Sequence, residues 1–191
     1  MFDAAGPVVG IDPGVSRCGY GAVARGSGGT LAVRAFGVIR TEPGDELPAR
    51  LAVLECELDE LVRELAPCAL AVERVLFQVN TRTAMSVGQA SGLALAIAGR
   101  TGVPVFHYSP NEVKQAVTGD GTADKAQVQT MVARLLSLER TPRPADAADA
   151  LGLAVCHLGS AGLRGALAAG GSVPGGLGRA IGAALAKEAR R

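Results

Sequence analysis

Lysine is scarce in this chain. Of its 19 lysines and arginines only three are lysines, Lys114, Lys125 and Lys187, and the last lies in the C-terminal tail. The folded part thus uses lysine twice where it otherwise prefers arginine. A compact ammonium and a planar guanidinium are not interchangeable at a site, so the two positions are marked, although so small a count is also compatible with chance. Cysteine offers no framework. Cys18, Cys56, Cys68 and Cys156 are scattered without a C-x-x-C pair, which argues against zinc and against disulfides and makes buried free thiols the expectation. Charge of one sign is not in excess either, since the net charge is +1. Global charge therefore speaks neither for nor against nucleic acid. Residues 1–7, MFDAAGP, lack the basic start and apolar run of a signal peptide. The apolar stretch SGLALAIAG, 91–99, is too short to span a bilayer. No membrane association is expected, and the chain reads as soluble and cytoplasmic. With 191 residues it is long enough for one domain with a sizeable core.

What is present is an alternation of strand and helix signals. VVGID, 8–12, is apolar and β-branched up to an aspartate and reads as a central strand before a Pro13-Gly14 turn. CGYGAVAR, 18–25, and TLAVRAFGVIR, 30–40, read as two further strands of an antiparallel meander. From Leu47, apolar residues at 51, 54, 58, 61, 62 and 65 recur at helical spacing. The opposite, mainly acidic face, with Glu57, Asp59, Glu60, Arg63 and Glu64, reads as solvated and is assigned no chemistry. ALAVERV, 69–75, is another buried strand, and a helix rich in small residues follows over about 81–99. PVFHY, 104–108, is a short strand. SPNE, 109–112, is a capping box opening a helix to Val117. TGDGT, 118–122, is a loop, a helix runs over about 123–138, and an aspartate-bearing helix comes last. The order predicts an α/β fold with an antiparallel start and right-handed βαβ crossovers. Residues 1–159 form the expected domain. Residues 160–191, rich in glycine and alanine with scattered basic residues, read as a flexible tail.

Four acids interrupt this apolar pattern. Asp12 ends VVGI and Glu73 ends ALAV, two strands expected to be buried on both faces. Asp146 and Asp149 open the helix of PADAADALGLAVCH, 144–157, three residues apart and hence on one face. An acid in a first helical turn is commonly just a partner for the macrodipole, and Asp146 alone needs no more than that. Unpaired buried carboxylates are costly, however, and need partners or a metal. If the two strands are neighbours and the helix packs on them, all four acids meet, with no basic partner near them in sequence. Such an oxygen-rich set suits Mg²⁺ or Mn²⁺ rather than zinc or copper. Two such ions about 4 Å apart activate water and stabilise the leaving oxygen of a phosphodiester.

GIDPGVSRCGYG, VERV, TGDGTADKAQV and PADAADAL resemble, in order and spacing, the RuvC-type Holliday junction resolvases over residues 8–158. The resemblance implies an RNase H-like fold with a mixed five-stranded sheet, antiparallel first three strands and flanking helices. It implies a homodimer that cuts two opposed strands of a four-way DNA junction using Mg²⁺, in recombination and repair, in concert with a branch-migration helicase complex. It carries the catalytic, metal-binding tetrad onto Asp12, Glu73, Asp146 and Asp149, and DNA-contacting lysines onto Lys114 and Lys125. The family usually has an aromatic wedge three residues after the glutamate. Here that position is Leu76 and the aromatic, Phe77, follows it, so either residue can serve as the wedge. Asn80 and Arg82, just beyond, are further DNA-binding candidates. Gly88 and Gly92, in the small-residue helix, fit close approach to another backbone. Packing inside the domain would use them equally well, and the resemblance points instead to a dimer interface.

Two other readings compete. GIDPGVSRCG also resembles the phosphate loop of actin-like and sugar-kinase-type ATPases, but those need a second domain for which this chain is too short. A non-catalytic junction-binding scaffold would be expected to have lost acids, and all four are present.

Overall fold

The computed structural model describes residues 6–74 and 81–168. Five strands form one sheet in the order β3-β2-β1-β4-β5. β1 (Val8–Asp12), β2 (Arg17–Arg25) and β3 (Leu31–Arg40) form the antiparallel meander. β4 (Ala69–Glu73) runs parallel to β1, and β5 (Val105–Tyr108) runs parallel to β4. The helices are α1 (Leu47–Leu65), α2 (Thr81–Thr101), α3 (Pro110–Thr118), α4 (Lys125–Leu135) and α5 (Ala145–Ala168). The mixed sheet and its flanking helices are those expected.

Side-chain alternation along a strand divides the core into two layers. Val9, Ile11, Leu70 and Val72 pack with Leu54, Leu58 and Val62 of α1 and with Ala90, Ala94 and Ile97 of α2. Val8, Ala69 and Ala71 point to the opposite face, towards Val113, Val132 and the apolar side of α5. Asp12 and Glu73 continue that second register, so alternation aims both acids at the α5 side.

Helix α5 lies unusually close to the sheet because three glycines make room for it. A methyl group on Gly10 would stand 1.9 Å from the backbone oxygen of Ala150, one on Gly19 would stand 2.2 Å from that of Asp146, and one on Gly21 would stand 2.6 Å from the Leu151 nitrogen. Only glycine permits such an approach.

Several boundaries differ from expectation. α4 spans Lys125–Leu135 rather than 123–138. Asp124 takes the N-cap, accepting a hydrogen bond from the Gln127 amide at 2.8 Å while Gln127 accepts one from the Asp124 amide. At the other end Ser137 adopts a positive φ of 52°, which no continuing helix allows. α5 begins at Ala145, after Pro144, and its backbone stays helical through Ala168. Of the four cysteines, Cys18 and Cys156 are buried as expected, whereas Cys56 and Cys68 are exposed. Cys56 lies on the solvated side of α1. Among the described residues no helix is long and apolar enough to cross a membrane.

Candidate active site

The parallel ladder between β1 and β4 pairs Ile11 with Val72, and the next step along each strand is Asp12 and Glu73. Their carboxyl groups share a hydrogen bond, which Asp12 donates as the protonated partner. Burial pushes Asp12 up to about 8, and the charges of Glu73, Asp149 and Asp146 push in the same direction. Burial also raises Glu73, opposed by the hydrogen bond from Asp12 and by the charge of Lys125. Asp12 thus feels both acids of α5 and Glu73 feels Asp149, and the four carboxylates form one electrostatic cluster at the end of the sheet.

Asp146 and Asp149 reach it from the first turn and a half of α5, over the glycine seat. Each has acquired a cation. The Arg17 guanidinium, at the first position of β2, donates to Asp146 Oδ2 through Nε at 2.7 Å and contacts the same oxygen through Nη2 at 2.5 Å. Lys125 Nζ, at the first position of α4, donates to Asp149 Oδ2 at 2.6 Å. That bond raises the Lys125 pKa. Both partners come from elements distant in sequence from the acids they meet, so the lack of a nearby basic partner in sequence did not mean a lack of basic partners in the fold. Arg17 is only five residues beyond Asp12, and its place in the GIDPGVSRCGYG motif was the available signal.

The turn between β1 and β2 is braced from outside. The Thr41 hydroxyl donates to the Val15 carbonyl at 2.8 Å. Arg50, on the first turn of α1, donates to Thr41 Oγ1 at 3.0 Å and to Ser16 Oγ at 2.5 Å. These contacts fix the backbone that carries Asp12 at one end and Arg17 at the other. Sequence reading did not reveal them, since a hydroxyl at a strand end and an arginine on an amphipathic helix carry no distinguishing pattern.

Lys114 lies at the start of the second turn of α3, just past the first turn. Its charge acts on Asp120, whose carboxyl is held low mainly by hydrogen bonds from Thr122. Among the described residues no hydrogen bond or ion pair joins Lys114 to the four acids. Leu76, Phe77 and Asn80 lie outside the described residues, as do residues 169–191, and of Arg82 only the helical backbone is described. Gly88 and Gly92 face outward from α2, with nothing within 4 Å of a Cβ added at either.

Comparison with known proteins gives this geometry a family. The family description of the crossover junction endodeoxyribonuclease RuvC matches residues 8–157, a span that includes all four acids. The chain belongs to the RuvC family. It is 54% identical over 162 residues to the crossover junction endodeoxyribonuclease RuvC of Salinispora arenicola, covering 85% of this chain and 93% of that one. The Thermus thermophilus RuvC structure superposes with a TM-score of 0.78 at 36% identity, over 83% of this chain and 96% of that one. T. thermophilus RuvC in complex with a Holliday junction substrate gives 0.77 at 36% identity, over 82% and 94%. The sheet order and flanking helices are accordingly those of the RNase H-like RuvC fold.

RuvC nucleases depend on a divalent metal, and the donors here fit one by their chemistry. Four carboxylates supply only hard oxygen ligands, and a cation would offset both the burial and the repulsion from neighbouring carboxylates that raise Asp12 and Glu73. Their present arrangement is not a closed cage. Among the described residues no three acids, histidines or cysteines converge tightly enough to hold an ion. Arg17 holds Oδ2 of Asp146 and Lys125 holds Oδ2 of Asp149.

Proposed function

We propose that this chain is a Holliday junction resolvase, an endonuclease that resolves four-way DNA junctions by paired phosphodiester hydrolysis in recombination and repair. The observation that carries the reading is the meeting of Asp12 and Glu73 with Asp146 and Asp149 across the glycine seat, in a chain of the RuvC family. Asp12, Glu73, Asp146 and Asp149 are the proposed catalytic and metal-binding residues. Two Mg²⁺ ions, or Mn²⁺ in their place, would supply Lewis acidity at the scissile phosphodiester when bound. Lys125 stands at the N-terminus of α4, where the helix dipole also favours phosphate, and we assign it to the cleaved strand. Lys114 is assigned further along the same strand. Phe77 is assigned the wedge role at the junction centre, one residue on from Leu76, and Asn80 and Arg82 are assigned as further DNA contacts.

Paired cutting needs two active sites, and α2 offers a surface for a homodimer. Met85, Gly88, Gly92, Leu95 and Gly99 are exposed along one side of it, and Met85 is 65% exposed. No atom lies within 4 Å of a Cβ added at any of the three glycines. They are therefore not small for the sake of packing inside the domain, and a second copy of α2 can approach along this stripe. A branch-migration helicase complex is the further partner proposed, in the cytoplasm.

Incubation with an end-labelled four-way junction, with and without Mg²⁺, tests the reading. Symmetric nicks in opposed strands, absent from linear duplex and from reactions without metal, are the expected result. Binding without cutting would favour a scaffold, and ATP hydrolysis would favour a kinase-like ATPase.

A further inference from the structure

We propose that Arg17 is an internal counter-ion, which competes with the divalent cation for Asp146 and passes to the DNA backbone once that cation binds. The inference rests on the reading of the four carboxylates as a cation site.

Arg17 directs two nitrogens at one oxygen, Asp146 Oδ2. Those two contacts occupy the lone-pair directions of that oxygen, so a cation that takes Oδ2 must displace the guanidinium, and one that takes Oδ1 is opposed by the positive charge held on the same carboxylate. The displacement needs no backbone movement. The Arg17 side chain is 46% exposed, while the turn before it is held by Thr41 and Arg50. A fixed Cα with a solvent-facing fork is a side chain that can rotate between two anions. The alternative anion follows from its surroundings. Arg17 pairs across the β2–β3 ladder with Arg40, which is also exposed, and Arg50 bonds Ser16 beside it. Once Asp146 is taken, Arg17 sits among like charges with no carboxylate of its own. A phosphodiester backbone running past the site supplies the missing acceptor, and the guanidinium fork matches phosphate oxygens. Metal occupancy and DNA affinity are thereby coupled through one side chain, and such coupling is reciprocal.

The experiment compares the wild type with Arg17→Ala, Arg17→Lys and Arg40→Ala. Arg40→Ala removes the same charge from a neighbouring position that does not touch Asp146. Mg²⁺ is titrated calorimetrically into each DNA-free protein, and junction cleavage is followed in single turnover against enzyme concentration at several salt concentrations. The expected result is Mg²⁺ binding about three- to fivefold tighter in Arg17→Ala, the scale of one exposed ion pair, with a smaller change in Arg40→Ala and an intermediate one in Arg17→Lys. In Mg²⁺ the half-saturating enzyme concentration of Arg17→Ala should rise severalfold, with a salt slope shallower by about one. Equal Mg²⁺ affinity in Arg17→Ala and Arg40→Ala overturns the inference, as does an unchanged salt slope. Loss of folding in Arg17→Ala, read from its melting curve, would move the decision to Arg17→Lys, where wild-type values of both affinities overturn it. If the wild type itself binds no Mg²⁺, the cation-site reading fails first and takes this one with it.

Discussion

Gly19 lies directly beneath the first turn of α5, so close that a methyl group on it would stand 2.2 Å from the Asp146 backbone oxygen. The obstacle is backbone rather than a flexible side-chain tip, so it cannot turn aside. Gly19→Ala should therefore push α5 off the sheet and destabilise the domain by about 1–3 kcal/mol, measured by urea unfolding. Cleavage should fall further than the unfolded fraction explains, because Asp146 moves with the helix. Gly10→Ala should behave alike. Wild-type stability in Gly19→Ala would mean that α5 sits further out.

The outward glycines predict the opposite behaviour. Gly88→Ala meets nothing within 4 Å and replaces glycine inside a helix, a gain of up to about 1 kcal/mol for the isolated protomer. Gly92→Arg keeps the protomer folded but blocks close approach of a second α2. Light scattering should report a monomer for Gly92→Arg and a dimer for the wild type, with coordinated double cutting lost in the variant. A Gly92→Arg protein that stays dimeric would move the interface elsewhere.

The Asp12–Glu73 pair predicts a pH dependence. In the folded, metal-free protein Asp12 holds its proton up to about pH 8, whereas an unfolded chain releases it near pH 4. Between these values the folded state binds more protons, so its stability falls as pH rises. Asp12→Asn removes that dependence. In EDTA its melting temperature should match the wild type near pH 4 and exceed it increasingly towards pH 8. Mg²⁺ must displace the same proton, so its affinity should rise over the same range. Parallel melting curves for the two proteins across pH 4–8 would contradict the shared proton.

The acids were legible in sequence because each breaks a local rule. Asp12 and Glu73 end apolar strands, and Asp146 and Asp149 share one helical face. The strand and helix order followed from periodicity for the same reason. What periodicity does not carry is contact between distant segments. Asp146 meets Arg17 across 129 positions and Asp149 meets Lys125 across 24, and nothing local to either acid announces its partner. The seat formed by Gly10, Gly19 and Gly21 was hidden likewise, since a glycine in a strand looks the same whether it accommodates a helix or marks a bulge.

Lys125 separates stability from chemistry. Its ion pair with Asp149 joins side chains that are 62% and 30% exposed, and such a pair contributes about 1 kcal/mol or less. Lys125→Ala should change the melting temperature by only a few degrees yet slow single-turnover cleavage at least tenfold, with a shallower salt dependence of junction binding. Lys114→Ala should show the smaller effect of a phosphate contact further from the acids. A cleavage loss in Lys125→Ala no larger than its loss of folded protein would remove Lys125 from the site.

The most direct test of the four-acid site is a pair of measurements on Asp12→Asn, Glu73→Gln, Asp146→Asn and Asp149→Asn, namely junction affinity and the single-turnover cleavage rate in Mg²⁺. Binding rests mainly on phosphate contacts elsewhere, whereas hydrolysis needs the carboxylates. Each variant should therefore bind a four-way junction within a few-fold of the wild type and show no detectable cutting. Near-wild-type cleavage by any one of them would contradict the account at that residue, and by Asp12→Asn or Glu73→Gln it would contradict the site as a whole.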